Sequence, residues 1–196
     1  MAVGARILIA EDEAIIRMDL REMLEEEGYQ VVAEAGDGDD AVRLARELTP
    51  DLAILDIVMP GLSGLQAAEQ IGADGLCAVL VLTAYSQRDL VDQAARSGAM
   101  AYLVKPFDKQ DLIPAIQVAI ARWDEAKTLQ NESKDLTERL EVRKIVERAK
   151  GILMKDQGID ESAAFRLIQK AAMERRATMR EVAQRILDQG GKAPPE

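Results

Sequence analysis

Five short apolar runs punctuate the first half of the chain: "RILIA" (6–10), "VVAEA" (31–35), "LAILD" (52–56), "AVLVLTA" (78–84) and "AYLV" (101–104). Between them, apolar residues recur at helical spacing near 14–27, 38–48, 64–72 and 87–97, and a further helical stretch begins at 110. Short Val-, Ile- and Leu-rich runs without alternation suit strands covered on both faces, as in a parallel sheet. Five strand–helix units in succession predict an α/β fold with a five-stranded, parallel, doubly wound sheet. In such folds ligands bind beyond the C-terminal ends of the strands.

The polar residues fall at those ends. The first run is followed by Glu11-Asp12-Glu13, the third finishes on Asp56, the fourth reaches Thr83, and the fifth runs into Lys105-Pro106. A carboxylate closing an apolar strand is costly unless something uses it. Several carboxylates converging on one rim repel one another unless a cation lies between them, which points to a hard, oxygen-liganded ion of the Mg²⁺ type. Glu11, Asp12 and Asp56 would supply oxygens, with water and a phosphate completing the shell. Asp56 beside such an ion, a Lys and a hydroxyl is equipped to attack a phosphoryl group, Lys105 neutralising its charge and Thr83 donating to one of its oxygens.

Charge and composition narrow the reading further. The 196 residues contain no histidine, which removes imidazole acid–base catalysis and the commonest metal ligand. A lone Cys77 in an apolar run forbids an internal disulfide and reads as a small buried hydrophobe. No run approaches the roughly 18 apolar residues of a membrane span, and the first ten residues lack the apolar core of a signal peptide, so a cytoplasmic protein is expected. Residues 1–124 hold 10 basic against 22 acidic side chains, and residues 125–196 hold 15 against 13. Net charges of −12 and +2 follow, within a total of −10. The first part is thus a poor ligand for nucleic acid, whereas the second is open to it.

The acidic pair after "ILIA", together with "DIVMPGLSG", "VLTA" and "YLVKPF", resembles the receiver domain of two-component response regulators, in order and in spacing. That resemblance implies a flavodoxin-like fold over 1–122, with Asp56 as phosphoacceptor. Glu11 and Asp12 become metal acids with Mg²⁺ as cofactor, the Val58 carbonyl a backbone metal ligand, and Thr83 and Lys105 the phosphate contacts. Tyr102 takes the aromatic switch position beside Thr83, and Lys105-Pro106 is expected to be cis. A cognate sensor histidine kinase is the implied partner. The competing reading of Asp12 is a helix cap, of Lys105 a solvated residue before a turn, of Tyr102 edge packing and of Thr83 an ordinary β-branched strand residue, and the functional reading is preferred at each. Phosphatases of the haloacid dehalogenase type also end a strand on a nucleophilic Asp but need a second acid two residues later. Val58 stands there, so the chain is expected not to be an enzyme, and the chemistry is expected to stop at a slowly hydrolysed phosphoaspartate. Family experience puts modulators of that hydrolysis at Val58 and Tyr85, neither of which readily positions water.

Beyond the receiver, Leu112, Ile116, Ala119, Trp123, Ala126, Leu129, Ser133, Leu136 and Leu140 follow one another at steps of three and four. This seam suits a connecting helix or coiled coil over 123–140, packed either within the chain or against a second copy. A small all-α unit follows. Asp160 is placed to cap a helix after Gly158, and Thr178 with Glu181 forms a T-x-x-E capping box. The expected core comprises Ile145, Ala149, Ile152, Leu153, Ala164, Phe165, Ile168, Ala172, Val182 and Ile186, and residues 190–196 read as a flexible tail. Basic residues crowd this unit. Arg143, Lys144, Arg148, Lys150, Lys155, Arg175, Arg176 and Arg180 are candidate phosphate-backbone contacts, although a merely solvated face has the same pattern.

The segment "VRKIVERAKGILMKDQGIDESAAFRLIQKAAMERRATMREVAQRIL" resembles the ANTAR domain, a three-helix RNA-binding module, over 129–189. Combined with the receiver, this implies a transcription antiterminator that binds paired RNA hairpins in nascent mRNA, with homodimers forming on phosphorylation. A helix-turn-helix reading of residues 160–175 and 179–188, with a DNA-binding output, is the alternative. A receiver acting only through protein partners would instead show no salt-dependent nucleic-acid binding.

Overall fold

The computed structural model describes residues 4–84 and 98–189. Tyr85, the helix expected at 87–97 and the tail at 190–196 lie outside the described residues. The chain divides into two compact units between Lys127 and Thr128. In chain order the elements are β1 (Arg6–Ala10), α1 (Ala14–Glu26), β2 (Gln30–Ala35), α2 (Gly38–Leu48), β3 (Leu52–Asp56), α3 (Gly64–Ala73), β4 (Ala78–Thr83), β5 (Ala101–Val104), α4 (Lys109–Gln157), α5 (Glu161–Glu174) and α6 (Met179–Asp188).

Among the described residues of the first unit, five strands form one parallel sheet in the order β2-β1-β3-β4-β5. This is the doubly wound order in which the chain switches direction beside β1 and β3. β3 and β4 are buried along their whole length, as their unbroken apolar runs require, while β2 and β5 at the edges are only partly covered. Side chains alternate between the two faces. Leu8, Ala53, Leu55, Val79 and Val81 pack under α2 and α3. Ile7, Ile9, Ile54, Leu80 and Leu82 pack with Leu20 and Leu24 of α1 and with Leu112, Ile116 and Ala119 of α4. Each fully buried Leu or Ile contributes about 1.5–3 kcal/mol, so these two strand faces are the principal source of stability.

Register delivers the rim. Ala10 pairs with Leu55 and Asp56 with Leu82, so Glu11, one residue past β1, comes level with Asp56. Thr83 pairs with Val104, which brings Lys105 just beyond it.

The second unit is built on the last turns of α4 with α5 and α6. The expected caps are present: the Asp160 carboxylate accepts from the Ala163 N–H at 2.7 Å, and Thr178 and Glu181 close a capping box. The expected core is corrected most clearly at one position, while Ile145 and Ile152 pack against it only partly buried. Phe165 is 41% exposed, while Val146 and Ala183 are buried in its stead. Ala164, Ile168 and Ala172 form the inner stripe of α5 at four-residue steps, and Phe165 stands about 100° around the helix from Ala164. The apolar seam of α4 also divides. Leu112, Ile116 and Ala119 are fully buried, whereas Leu129, Leu136 and Leu140 are 58–62% exposed.

Candidate functional site

At the C-terminal rim of the sheet, Glu11, Asp56 and Thr83 are buried, at 0%, 7% and 3% exposure. Asp12 is exposed at the edge of the same cluster. Carboxylate oxygens of Glu11, Asp12 and Asp56 all lie within 4.8 Å of one another. Lys105 completes the set: its Nζ donates to Glu11 Oε2 at 2.6 Å and lies 2.9 Å from Asp56 Oδ1.

Backbone contacts fix each of these groups. Glu11 N–H donates to the Ala35 carbonyl at 3.1 Å, continuing the β1–β2 ladder, and the Arg17 guanidinium of α1 donates to the Glu11 carbonyl. Ile57 N–H donates to the Leu82 carbonyl at 3.1 Å, and Lys105 N–H to the Thr83 carbonyl at 2.7 Å. The Lys105–Pro106 bond is cis, as expected. Because these anchors are main-chain hydrogen bonds between neighbouring strand ends, with Arg17 added from α1, the side chains they carry are held in position before any ligand arrives.

The electrostatics follow from burial and charge. Burial lifts the Glu11 carboxyl above its ordinary value and the Asp56 charge adds to this, against the opposing hydrogen bond and charge of Lys105. Burial pulls the Lys105 ammonium down, but hydrogen bonds to Glu11 and Asp56 and their charges outweigh it, so the net shift is upward. Three carboxylates balanced by one ammonium leave an excess of negative charge, and every donor atom is a hard oxygen. The cluster therefore suits a hard divalent cation better than a soft or borderline one.

The side chains of the other sequence candidates are not members of this cluster. Val58 lies two residues past Asp56 in an exposed loop, its side chain 66% exposed. Tyr102 of β5 is 48% exposed. In the second unit Arg143, Arg148, Lys155 and Arg176 are exposed and Arg175 is half-buried. Lys144 pairs with Glu141 at 2.7 Å, and Arg180 with Glu138 at 3.6 Å. Lys150 has a different setting. It is 6% exposed and its Nζ lies 2.8 Å from Glu147 and 2.7 Å from Glu161, so its charge is spent joining α4 to α5. The i, i+3 spacing of Glu147 and Lys150 was visible in the sequence, but the contact across to Glu161 was not.

Sequence reasoning also missed the supporting residues of the rim. No local pattern singles out Arg17, whose guanidinium reaches the Glu11 carbonyl. The same holds for Gly64, where a Cβ would lie 1.9 Å from the Asp56 carbonyl oxygen, so only glycine lets α3 start this close to the end of β3.

Comparison with known proteins agrees with this geometry. The response regulator receiver domain family matches residues 7–117 and the ANTAR domain family matches residues 134–187. Transcriptional regulatory protein PdtaR of Mycobacterium tuberculosis is 56% identical over 187 residues, covering 95% of this chain and 91% of that one. Chemotaxis protein CheY of Thermotoga maritima is 36% identical over 115 residues, 58% of this chain and 96% of its own. Among solved structures, a LuxR-family two-component response regulator from Aurantimonas sp. SI85-9A1 superposes with a TM-score of 0.57 at 36% identity, covering 60% of this chain and 86% of that one. None of the described helices is long and apolar enough to cross a membrane. With the acid cluster at the rim of the sheet, a receiver match over more than half of its length and an ANTAR match over the helical unit, this chain belongs to the response regulator family and carries an ANTAR output domain.

Proposed function

We propose that this protein is a phosphorylation-dependent response regulator whose ANTAR unit acts as a transcription antiterminator. Asp56 is the phosphoacceptor. Its carboxylate oxygen attacks the phosphorus of a phosphodonor, supplied by a cognate sensor histidine kinase. The bond from phosphorus to the donor breaks, and its electron pair leaves with the donor atom. Glu11, Asp12, Asp56 and the Val58 carbonyl would hold Mg²⁺, which neutralises charge on the phosphoryl oxygens when bound. Lys105 exchanges its contact with Asp56 for a phosphoryl oxygen, and the Thr83 hydroxyl donates to another. Nothing at Val58 can donate a proton for turnover, so the chemistry stops at a slowly hydrolysed acyl phosphate.

The observation that carries this reading is the half-buried Lys105 bridging the buried Glu11 and Asp56 at 2.6 and 2.9 Å. A buried ion pair of this kind is a weak source of stability but a ready-made charge partner for a transferred phosphoryl group. Incubation with a small phosphodonor and Mg²⁺ should label the protein as a hydroxylamine-sensitive acyl phosphate, and Asp56→Asn should abolish the label. Labelling retained in that variant would refute the assignment.

For the output, the ligand is RNA in the form of paired hairpins in nascent mRNA, and binding blocks formation of the terminator. Arg143, Arg148, Lys155, Arg175 and Arg176 are the proposed phosphate contacts. Lys144 and Arg180 join them, because their surface ion pairs are worth little and exchange easily for phosphate. Phosphorylation favours an inward Tyr102 and a homodimer, so two linked hairpins bind more tightly through raised effective concentration. Affinities for one- and two-hairpin RNAs, with and without a phosphoryl mimic and against duplex DNA of equal length, test this. A larger gain for the two-hairpin RNA is expected, with log affinity falling by about 0.7–0.9 per phosphate neutralised for each unit of log salt. Preference for the duplex would favour the helix-turn-helix reading.

A further inference from the structure

The loop that follows Asp56, residues 57–63, carries Val58 and connects β3 to α3. An irregular segment of this length has no internal ladder to hold it, so its position depends on what surrounds it. At its base, Gly64 N–H donates to the Ile57 carbonyl at 3.0 Å, which ties the end of the loop to its beginning. The outer limb is held from elsewhere, by Met59, which is buried in the core, and by the first turn of α2.

Two hydrogen bonds make the attachment to α2. Asp39 Oδ2 accepts from the Leu62 N–H at 3.1 Å. The same oxygen lies 2.3 Å from where a Cβ on Gly61 would stand, and Gly61 has φ +68°, so glycine suits the backbone conformation there and leaves the Asp39 carboxylate its place. Gly38 N–H points to the Pro60 carbonyl at 3.5 Å, and a Cβ on Gly38 would lie 2.1 Å from the Leu62 carbonyl oxygen. Helix and loop are thus in backbone contact.

Asp39 is not the cap of the helix. The N-cap of α2 is Asp37, whose carboxylate already accepts from the Asp40 N–H at 2.8 Å, and Asp40 pairs with Arg43 at 2.9 Å. The side chain that remains reaches across to the loop, and the positive end of the helix favours a carboxylate in that place.

We infer that Asp39 is a positioning residue for the phosphoacceptor site: by accepting from Leu62 N–H it fixes the loop that presents the Val58 carbonyl beside Asp56. The inference rests on the proposed reading of the receiver as a phosphoacceptor with a bound divalent cation. Its consequence is confined to cation affinity. Asp39 touches none of Glu11, Asp12, Asp56 or Lys105 and has no part in the transfer itself. Loosening the loop scatters one oxygen of the site, so the cation binds less tightly, while saturating cation restores the geometry and the rate.

The test uses the full chain with Mg²⁺ as the probe. Isothermal titration gives the Mg²⁺ affinity of the unphosphorylated protein, and labelling of Asp56 by acetyl phosphate gives the half-saturating Mg²⁺ concentration and the limiting rate. Asp39→Ala should weaken Mg²⁺ binding by about three- to fivefold, in keeping with one exposed charge-assisted hydrogen bond, with the limiting rate within about twofold of wild type. Asp39→Asn loses the charge but keeps an oxygen that can accept from Leu62 N–H, so its affinity should return to within about twofold of wild type. Asp40→Ala, which removes a neighbouring charge without touching the loop, should leave both values unchanged. Unaltered Mg²⁺ affinity in Asp39→Ala would overturn the inference, as would an Asp39→Asn variant as weak as Asp39→Ala, since the effect would then be distant charge alone. If the wild-type protein neither binds Mg²⁺ nor labels, the phosphoacceptor reading itself fails, a result distinct from either of these.

Discussion

Replacing Lys105 with Met keeps most of the apolar stem and deletes the charge, which isolates the electrostatic part of the rim. Its side chain is 17% exposed, against 1% for Glu11 and 10% for Asp56, so both carboxylates lose a partner that solvent cannot easily replace. Removing one member of a fully buried pair costs about 3–5 kcal/mol, and the partial opening of this rim to solvent lowers the expectation to about 2–3 kcal/mol. Repulsion acts in the same direction. At an effective dielectric of about 20, two unit charges at 4.8 Å, the outer limit for these carboxylate oxygens, repel by about 3.5 kcal/mol before counterions and proton uptake relieve them. The relief has a definite sign. Glu11 is already held above its ordinary 4.5 by burial, and losing the hydrogen bond and charge of Lys105 raises it further. A carboxyl raised in the folded state costs stability when ionised, and that cost disappears as pH falls through the folded value toward 4.5. The variant should therefore be destabilised most at pH 8 without divalent cation, by about 6–12 °C in thermal midpoint, and should recover at pH 5. Added Mg²⁺ should stabilise the variant more than the wild type, because it replaces the missing positive charge. Thermal melts at both pH values, with and without Mg²⁺, decide the matter. A deficit equal at the two pH values and untouched by Mg²⁺ would show that Lys105 acts through packing, and the charge argument would be refuted.

Cys77 is 1% exposed and burial pushes its thiol up to about 12, so the native protein should resist a thiol reagent at pH 8 and react at once when unfolded; rapid native labelling would contradict its placement in the core. Lys150→Ala should lower the melting temperature of the helical unit more than Lys150→Met, which keeps the buried stem, and a loss of RNA affinity without any loss of stability would instead make Lys150 an RNA contact. Leu136 and Leu140 are 62% and 58% exposed, and the double change to Lys should abolish any phosphorylation-dependent dimer in sedimentation while leaving Asp56 labelling intact; dimers that persist would move the interface elsewhere. Val58 is exposed and apolar beside the acceptor, so Val58→Asn should shorten the lifetime of the phosphoaspartate several-fold, as followed by loss of label; slower decay would reverse the assigned role.

The site was legible because it depends on register. In a parallel sheet the ends of neighbouring strands come level, so an acid after β1, an acid ending β3, a hydroxyl ending β4 and a Lys after β5 have one place to meet. What escaped the sequence was support that crosses between elements. The i, i+4 pairing within a helix is a local pattern. By contrast, the reach of Lys150 to Glu161, of Asp39 to the Leu62 N–H and of Arg17 to the Glu11 carbonyl depends on how helices and loops pack. Phe165 shows the same limit: an aromatic within an apolar helix reads as core, and only the four-residue stripe through Ala164, Ile168 and Ala172 turns it outward.

Hydrophobic period and strand-end chemistry, both local properties, determined the α/β class, the strand set, the helix caps and the acid–Lys rim before any coordinates. Packing decided the rest. One continuous apolar seam on α4 becomes a buried stripe at Leu112, Ile116 and Ala119 and a set of exposed leucines at 129, 136 and 140, because side-chain spacing specifies a face but not what covers it. Likewise, the residue types at the rim announced an oxygen-rich site. Its charge balance was settled only when the sheet brought one ammonium within hydrogen-bonding distance of two buried carboxylates, since the strength of such contacts depends on distance and on exclusion of water, neither of which is written in the order of the residues.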